Sequence, residues 1–295
     1  MMPSTLSSTL DHALAAVIPE LLFHYTSPEG LIGILRKLEL WASNAAFLND
    51  IQEVERAVSV SRVVIENTIA RGVNAQDLDA LQEMRAYVGA AAKRYYVFSL
   101  TEERDLLSQW RAYCPPGGGY AIGLPSKQLS LMADVQGFTL SPCIYDEQLQ
   151  YRILQEFVDA FLIKFRHEIA EGAATHDLAK QIGWEFGQRV ARFGISLKHH
   201  SFREEKEWRL ISPAIEEPHS QLDYKSSSFR VVPFFRFQLT NGQHPNLTAE
   251  NRIAIVIGPT SDPVASTMAV QSLVTSTIGS GNASHTVSEI PYRNW

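Results

Sequence analysis

The chain has 295 residues, 45% of them hydrophobic and 20% charged, which is enough apolar side chain to bury a sizeable core and excludes a wholly disordered polypeptide. A net charge of -6 with no basic run excludes an extended nucleic-acid-binding face, though not a pocket for one nucleotide. No stretch approaches the roughly 20 apolar residues of a membrane helix, and the Ser/Thr-rich start lacks the basic and apolar parts of a secretory signal, so a cytoplasmic protein without a membrane partner is expected.

In chain order, helical spacing over Leu6–Ile18 stops at Pro19, and Leu21–His24 reads as a short strand. Ser27-Pro28-Glu29 starts a helix, with Ser27 as cap and Pro28 in the first turn; Leu31, Ile34 and Leu35 then share one face to about Lys37. Leu40–Ala42 reads as strand and Asn44–Asp50 as loop, with Asn49 or Asp50 able to cap the next helix. Helices over Ile51–Arg71 and Ala75–Arg94 follow, punctuated by Gly72 and Asn74. Next come a strand over Tyr95–Leu100, a short helix over Asp105–Tyr113, a Pro/Gly turn over Cys114–Gly119 and a strand over Tyr120–Leu124. Phe138–Tyr145 is another strand candidate, and Leu149–Ile169 and Leu178–Leu197 are amphipathic helices. The remainder reads as β at Glu207–Ile211, Leu222–Lys225, Phe229–Leu239, Arg252–Ile257 and His285–Ile290, interrupted by a helix over Val264–Thr277. Strands at both ends with helices between them predict one α+β domain over residues 1–295, with an N-terminal helix in 1–20 and helical insertions at 51–94 and 148–198.

Three stretches can carry chemistry. In the first, a strand ends in His24-Tyr25-Thr26 and a helix starts almost at once, which places a His ring beside free backbone donors that can meet a ribose and a phosphate. A satisfied turn His explains the same residues. In the second, the aromatic strand with Ser99 leads to Ser108, Trp110 and Tyr113; aromatics at helical spacing suit a core as well as a stacking platform. In the third, Glu205, Glu207 and Arg209 share one face if the strand extends that far, with Trp208 and Leu210 turned to the core. A solvated charge run at a strand entrance is the plainer reading. Cys114 and Cys143 sit in no Cys-x-x-Cys and read as two reduced thiols, so no zinc site is expected. Gly117-Gly118-Gly119 lacks the Lys-Ser/Thr of a phosphate loop, and His199-His200 is a surface pair without a named partner.

The His24-Tyr25-Thr26 strand end, the Gly33-Ile34-Leu35 helix and the Leu40-Trp41-Ala42-Ser43 strand resemble the opening motif of ADP-ribosyltransferases of the diphtheria-toxin and poly-ADP-ribose-polymerase clade. Tyr25 stands where that clade has Gly, and Glu39 where a Gly is common. Glu205-Lys206-Glu207 resembles the Glu-x-Glu with which the clade closes its catalytic set. The resemblance implies a split antiparallel β-sheet core and NAD as substrate. It assigns His24, Tyr25, Thr26, Ser43, Ser99, Trp110 and Arg209 to NAD binding, with Tyr113 or Trp110 stacked on nicotinamide, Glu207 on the ribose 2′-hydroxyl and Glu205 serving the acceptor. The wider set of Asn49-Asp50-x-x-Glu53, Phe98-Ser99-Leu100, Gln109-Trp110-x-x-Tyr113, Glu207-Trp208-Arg209, Ile257-Gly258-Pro259 and Ile290-Pro291-Tyr292-Arg293 resembles the bacterial domain-of-unknown-function family twenty-nine seventy-one. The expected reaction moves ADP-ribose from NAD to a protein or nucleic-acid acceptor and releases nicotinamide; the setting the resemblance suggests is that of a toxin or phage-defence effector. Two other readings stand beside it: a nucleotide- or partner-binding module without turnover, and a metal-dependent nuclease or phosphoesterase using His24, Asp50, Glu53 and Glu207.

Overall fold

The computed structural model describes residues 8–14, 17–47, 52–89, 94–216, 218–227, 230–240 and 252–291. It is a mixed α+β structure with a large, mostly antiparallel sheet and many helices. The N-terminal helix α1 (Ser8–Leu14) precedes strand β1 (Leu21–Thr26). Helix α2 (Pro28–Lys37) starts as its sequence dictates, with the Ser27 side chain accepting from the Gly30 amide and Pro28 in the first turn, and buries Leu31, Ile34 and Leu35. Strand β2 (Glu39–Asn44), helices α3 (Gln52–Ala70) and α4 (Ala75–Tyr87), strand β3 (Tyr96–Thr101), helix α5 (Leu107–Tyr113) and strand β4 (Tyr120–Pro125) follow. Then come helix α6 (Ser126–Gln136), strand β5 (Thr139–Pro142) and the long helices α7 (Glu147–Ala170) and α8 (Thr175–Gly194). A 3-10 turn at His200–Glu205 leads into β6 (Glu207–Ile211), then β7 (Leu222–Ser226), β8 (Val231–Gln238), β9 (Ile253–Ile257), α9 (Pro263–Thr277) and β10 (Ala283–Val287).

Several elements differ from the sequence reading. Helix α6 was not anticipated; Leu129, Met132 and Ala133 form its buried face and Gly137, at φ 70, closes it in the left-handed conformation that glycine tolerates. The strand expected at 138–145 is only the four residues of β5. The last strand runs over 283–287 rather than 285–290, parallel to β9, because α9 returns the chain to the same sheet edge. The Asn49-Asp50 cap and the residues Tyr292 and Arg293 lie outside the described residues.

The packing divides into two main cores. One lies on the sheet, where Leu22, Tyr96, Ile122, Trp208, Leu210 and Phe237 meet residues of α2, α6 and α9. The second is helical: Val64, Leu81, Met84, Phe157, Phe161, Phe165, Phe186 and Val190 bring α3, α4, α7 and α8 together. The helical insertions therefore pack first on one another, and a seam of Ala45, Tyr95, Val97, Ala191, Ile195 and Ile211 joins them to the sheet. Helices α4 and α8 approach so closely that a Cβ on Gly183 or Gly187 would lie 2.6 Å from backbone atoms of Glu83 or Tyr87, so glycine is required there. No helix among the described residues is long and apolar enough to cross a membrane.

The feature that positions the site is a fork at β3. Along one edge β3 pairs with β6 from Val97↔Ile211 to Thr101↔Glu207. On its other edge the partners change: β2 reaches only Tyr96 and Val97, and β1 only Thr101. Phe98, Ser99 and Leu100 are thus left without a backbone partner strand on that edge among the described residues.

Candidate functional site

A small cleft, open to solvent at its mouth, lies at this fork and is lined by residues of β1, β3, α5 and the entrance to β6. It brings together His24, Tyr25, Ser99, Tyr113, Glu205 and Glu207, which the sequence separates by up to 183 residues, and adds Gln109, a buried α5 side chain that the sequence reading named in a motif but gave no site role.

His24 spans the fork. Its Nδ1 lies 3.0 Å from the Ser99 carbonyl oxygen, which only accepts, so Nδ1 carries the proton and Nε2 is left as an acceptor. The ring packs on Phe98 at 4.2 Å between centroids. Burial pulls its pKa from 6.5 to about 4; the Ser99 hydrogen bond opposes that fall and the charge of Lys225 adds to it, so the imidazole is neutral at pH 7.

Tyr25 fills the place where the resembling clade has glycine, and does so structurally. Its hydroxyl donates to the Glu103 carbonyl at 2.9 Å and accepts the Leu106 amide at 2.8 Å, which fixes the loop leading into α5. Trp110 packs edge-on against Tyr25 at 4.5 Å, donates from Nε1 to Asp105 at 2.7 Å and is 2% exposed. It is a core residue and does not line the cleft, which corrects its assignment to the dinucleotide. Tyr113, 47% exposed at the end of α5, is the ring that faces the open cleft. Thr26 and Ser43 also lie off the lining: the Thr26 hydroxyl sits where a Cβ on residue 30 would be, and Ser43 sits in β2 opposite Val97 and Phe234.

The acidic end is a buried ion-pair network. Strand β6 starts at Glu207, so strand alternation does not place Glu205; the 3-10 turn and Lys206, at φ 39, bring it alongside. Arg209 donates from Nε to Glu207 Oε1 at 2.7 Å and from Nη2 to Oε2 at 3.0 Å, and from Nη1 to the Ile195 carbonyl at 2.5 Å. It clamps a carboxylate and is 3% exposed, so it does not reach the cleft as a ligand contact. Lys198, unflagged by its sequence context, lies equally deep and donates from Nζ to both Glu207 Oε2 and Glu205 Oε2, the latter at 2.6 Å. Burial alone would raise the Glu207 pKa, but Arg209 and Lys198 override it and hold the carboxyl at about 2. Burial would likewise lower the Lys198 pKa, and Glu207 and Glu205 raise it instead. The Glu207 amide donates to the Tyr145 hydroxyl at 2.9 Å, and the Thr101 hydroxyl holds the Glu205 carbonyl.

Asp50 and the side chain of Glu53 fall outside the described residues. Cys114 and Cys143 are free thiols, and burial pushes the Cys114 thiol up to about 11. No curated protein and no solved structure matches the chain. Residues 109–210, which include Tyr113, Lys198, Glu205, Glu207 and Arg209 but not His24, match the family described as "Protein of unknown function (DUF2971)".

Proposed function

We propose that this protein is an NAD-dependent ADP-ribosyltransferase. The observation that carries the reading is the meeting of a neutral, fork-spanning His24, an exposed Tyr113 and the Glu205–Glu207 pair on one cleft. The cleft opens to solvent at its mouth, so a dinucleotide held there can extend beyond it. In this reading His24 Nε2 accepts from the hydroxyl of the adenosine-side ribose, and the Tyr113 ring stacks on nicotinamide.

The C1′–N glycosidic bond then breaks, its electron pair leaving with nicotinamide, and positive charge develops on the ribose. Glu207, ionised in advance, stabilises that charge and holds the 2′-hydroxyl. Among the described residues its Oε1 accepts from Arg209 alone, which leaves a lone pair for the sugar. The acceptor's nucleophilic atom, on a protein or nucleic acid, forms the new bond to C1′. Its proton passes to Glu205, the less buried of the two carboxylates, whose Oε2 is engaged by Lys198.

A second reading, a module that binds a nucleotide or partner without turnover, draws on two observations. Two cations already neutralise the two carboxylates, and Tyr25 occupies the glycine position. Nicotinamide release from NAD, measured with purified protein and cell extract, separates the two: turnover supports the transferase, and NAD binding without release supports the module.

A further inference from the structure

We propose that Glu147, His199 and His200 form a site for one divalent transition-metal ion of the zinc class, separate from the cleft and independent of the reading above. Their ligand atoms lie within 4.8 Å of one another, and all three side chains are exposed to solution. His200 Nδ1 is 3.5 Å from Glu147 Oε1, and the two imidazole rings lie 4.2 Å apart.

The donors come from two segments that the backbone holds side by side. Ile144 pairs with Leu197, the Lys198 amide donates to the Ile144 carbonyl at 3.1 Å, and the Ile144 amide donates to the Ser196 carbonyl at 2.8 Å. Gln150, 1% exposed, fastens both strands by donating to the carbonyls of Ile144 and Lys198. Three donors on so fixed a frame need little rearrangement to surround an ion.

Two imidazoles and one carboxylate suit a borderline ion such as Zn²⁺, with water as the fourth ligand, and disfavour Ca²⁺ or Mg²⁺, which take oxygen. Arg56 stays on Glu147 Oε1 at 2.8 Å, leaving Oε2 for the metal. The weak bond from the Ser201 amide to His199 Nδ1, 3.3 Å, is what His199 gives up if it ligates through Nε2, because Nδ1 must then carry the proton.

The test is calorimetric titration of ZnCl₂ and CaCl₂ into full-length protein carrying no histidine tag. One equivalent of zinc and no calcium are expected. His199→Ala and His200→Ala should each weaken zinc binding more than about 10-fold, since even an outer partner's loss commonly does so, and Glu147→Gln should weaken it while preserving shape. All three positions are exposed, and unchanged circular dichroism will show that the variants fold. No stoichiometric zinc binding by wild type, or equal zinc affinity in the His199→Ala/His200→Ala double variant, would overturn the site.

Discussion

Glu207→Gln removes one negative charge from a buried network and keeps its shape. The carboxyl is held at about 2 against an ordinary 4.5. At 1.36 kcal/mol per unit, the ionised group contributes on the order of 3 kcal/mol to stability at pH 7. The direction follows from the depressed folded value: the contribution is complete above about pH 4.5 and is lost as pH falls through about 2. Glutamine also takes one anion away from both Arg209 and Lys198, consistent with the roughly 3–5 kcal/mol lost when one partner of a buried pair is removed. Urea unfolding of wild type and Glu207→Gln should therefore give a gap of about 3 kcal/mol at pH 7, shrinking to about half by pH 3, with similar m-values. A gap below about 1 kcal/mol at pH 7, or one that does not change with pH, would refute the account of the network.

His24→Ala should weaken NAD binding roughly 10-fold, the loss of one well-made hydrogen bond, in calorimetry at pH 7; an unchanged Kd would remove His24 from the site. Tyr113→Phe should keep NAD turnover within a few-fold of wild type and Tyr113→Ala should lower it, because the ring and not the hydroxyl is proposed to stack; equal losses in both would argue for a hydroxyl role. Gly187→Ala should cost about 1–3 kcal/mol in chemical denaturation, since its Cβ meets the Tyr87 carbonyl oxygen at 2.6 Å, and NAD affinity should not change.

The local units of this fold are legible in the sequence wherever a cap or a strict period marks them. Ser27-Pro28 gives the start of α2, and Glu207-Trp208-Arg209-Leu210 gives a buried strand with Trp208 in the core. Helix α6 is missed because Pro125 gives its start no side-chain cap. The fork is not legible, because it depends on where β1 and β2 cease to pair with β3, a non-local property of three strands.

Lys198 is hidden for a related reason: nothing in a single Lys after an amphipathic helix shows that the chain turns back to bury it between two carboxylates. Arg209 shares the face of Glu207 that strand alternation predicts and pairs with it, but it does not line the cleft, since strand pairing seals it inside. Trp110 illustrates the ambiguity of aromatics at helical spacing: its neighbour Tyr113 faces the cleft, whereas Trp110 is enclosed by Tyr25 and Gly258.

The central claim is tested most directly by nicotinamide release from saturating NAD, with cell extract as the source of acceptor, for wild type and for Glu207→Gln at a temperature where both are folded. The account predicts release by wild type and a fall in kcat of about 100-fold or more in the variant, with the KM for NAD changed only a few-fold. Equal turnover by the two proteins, or NAD binding by wild type with no release, would contradict it.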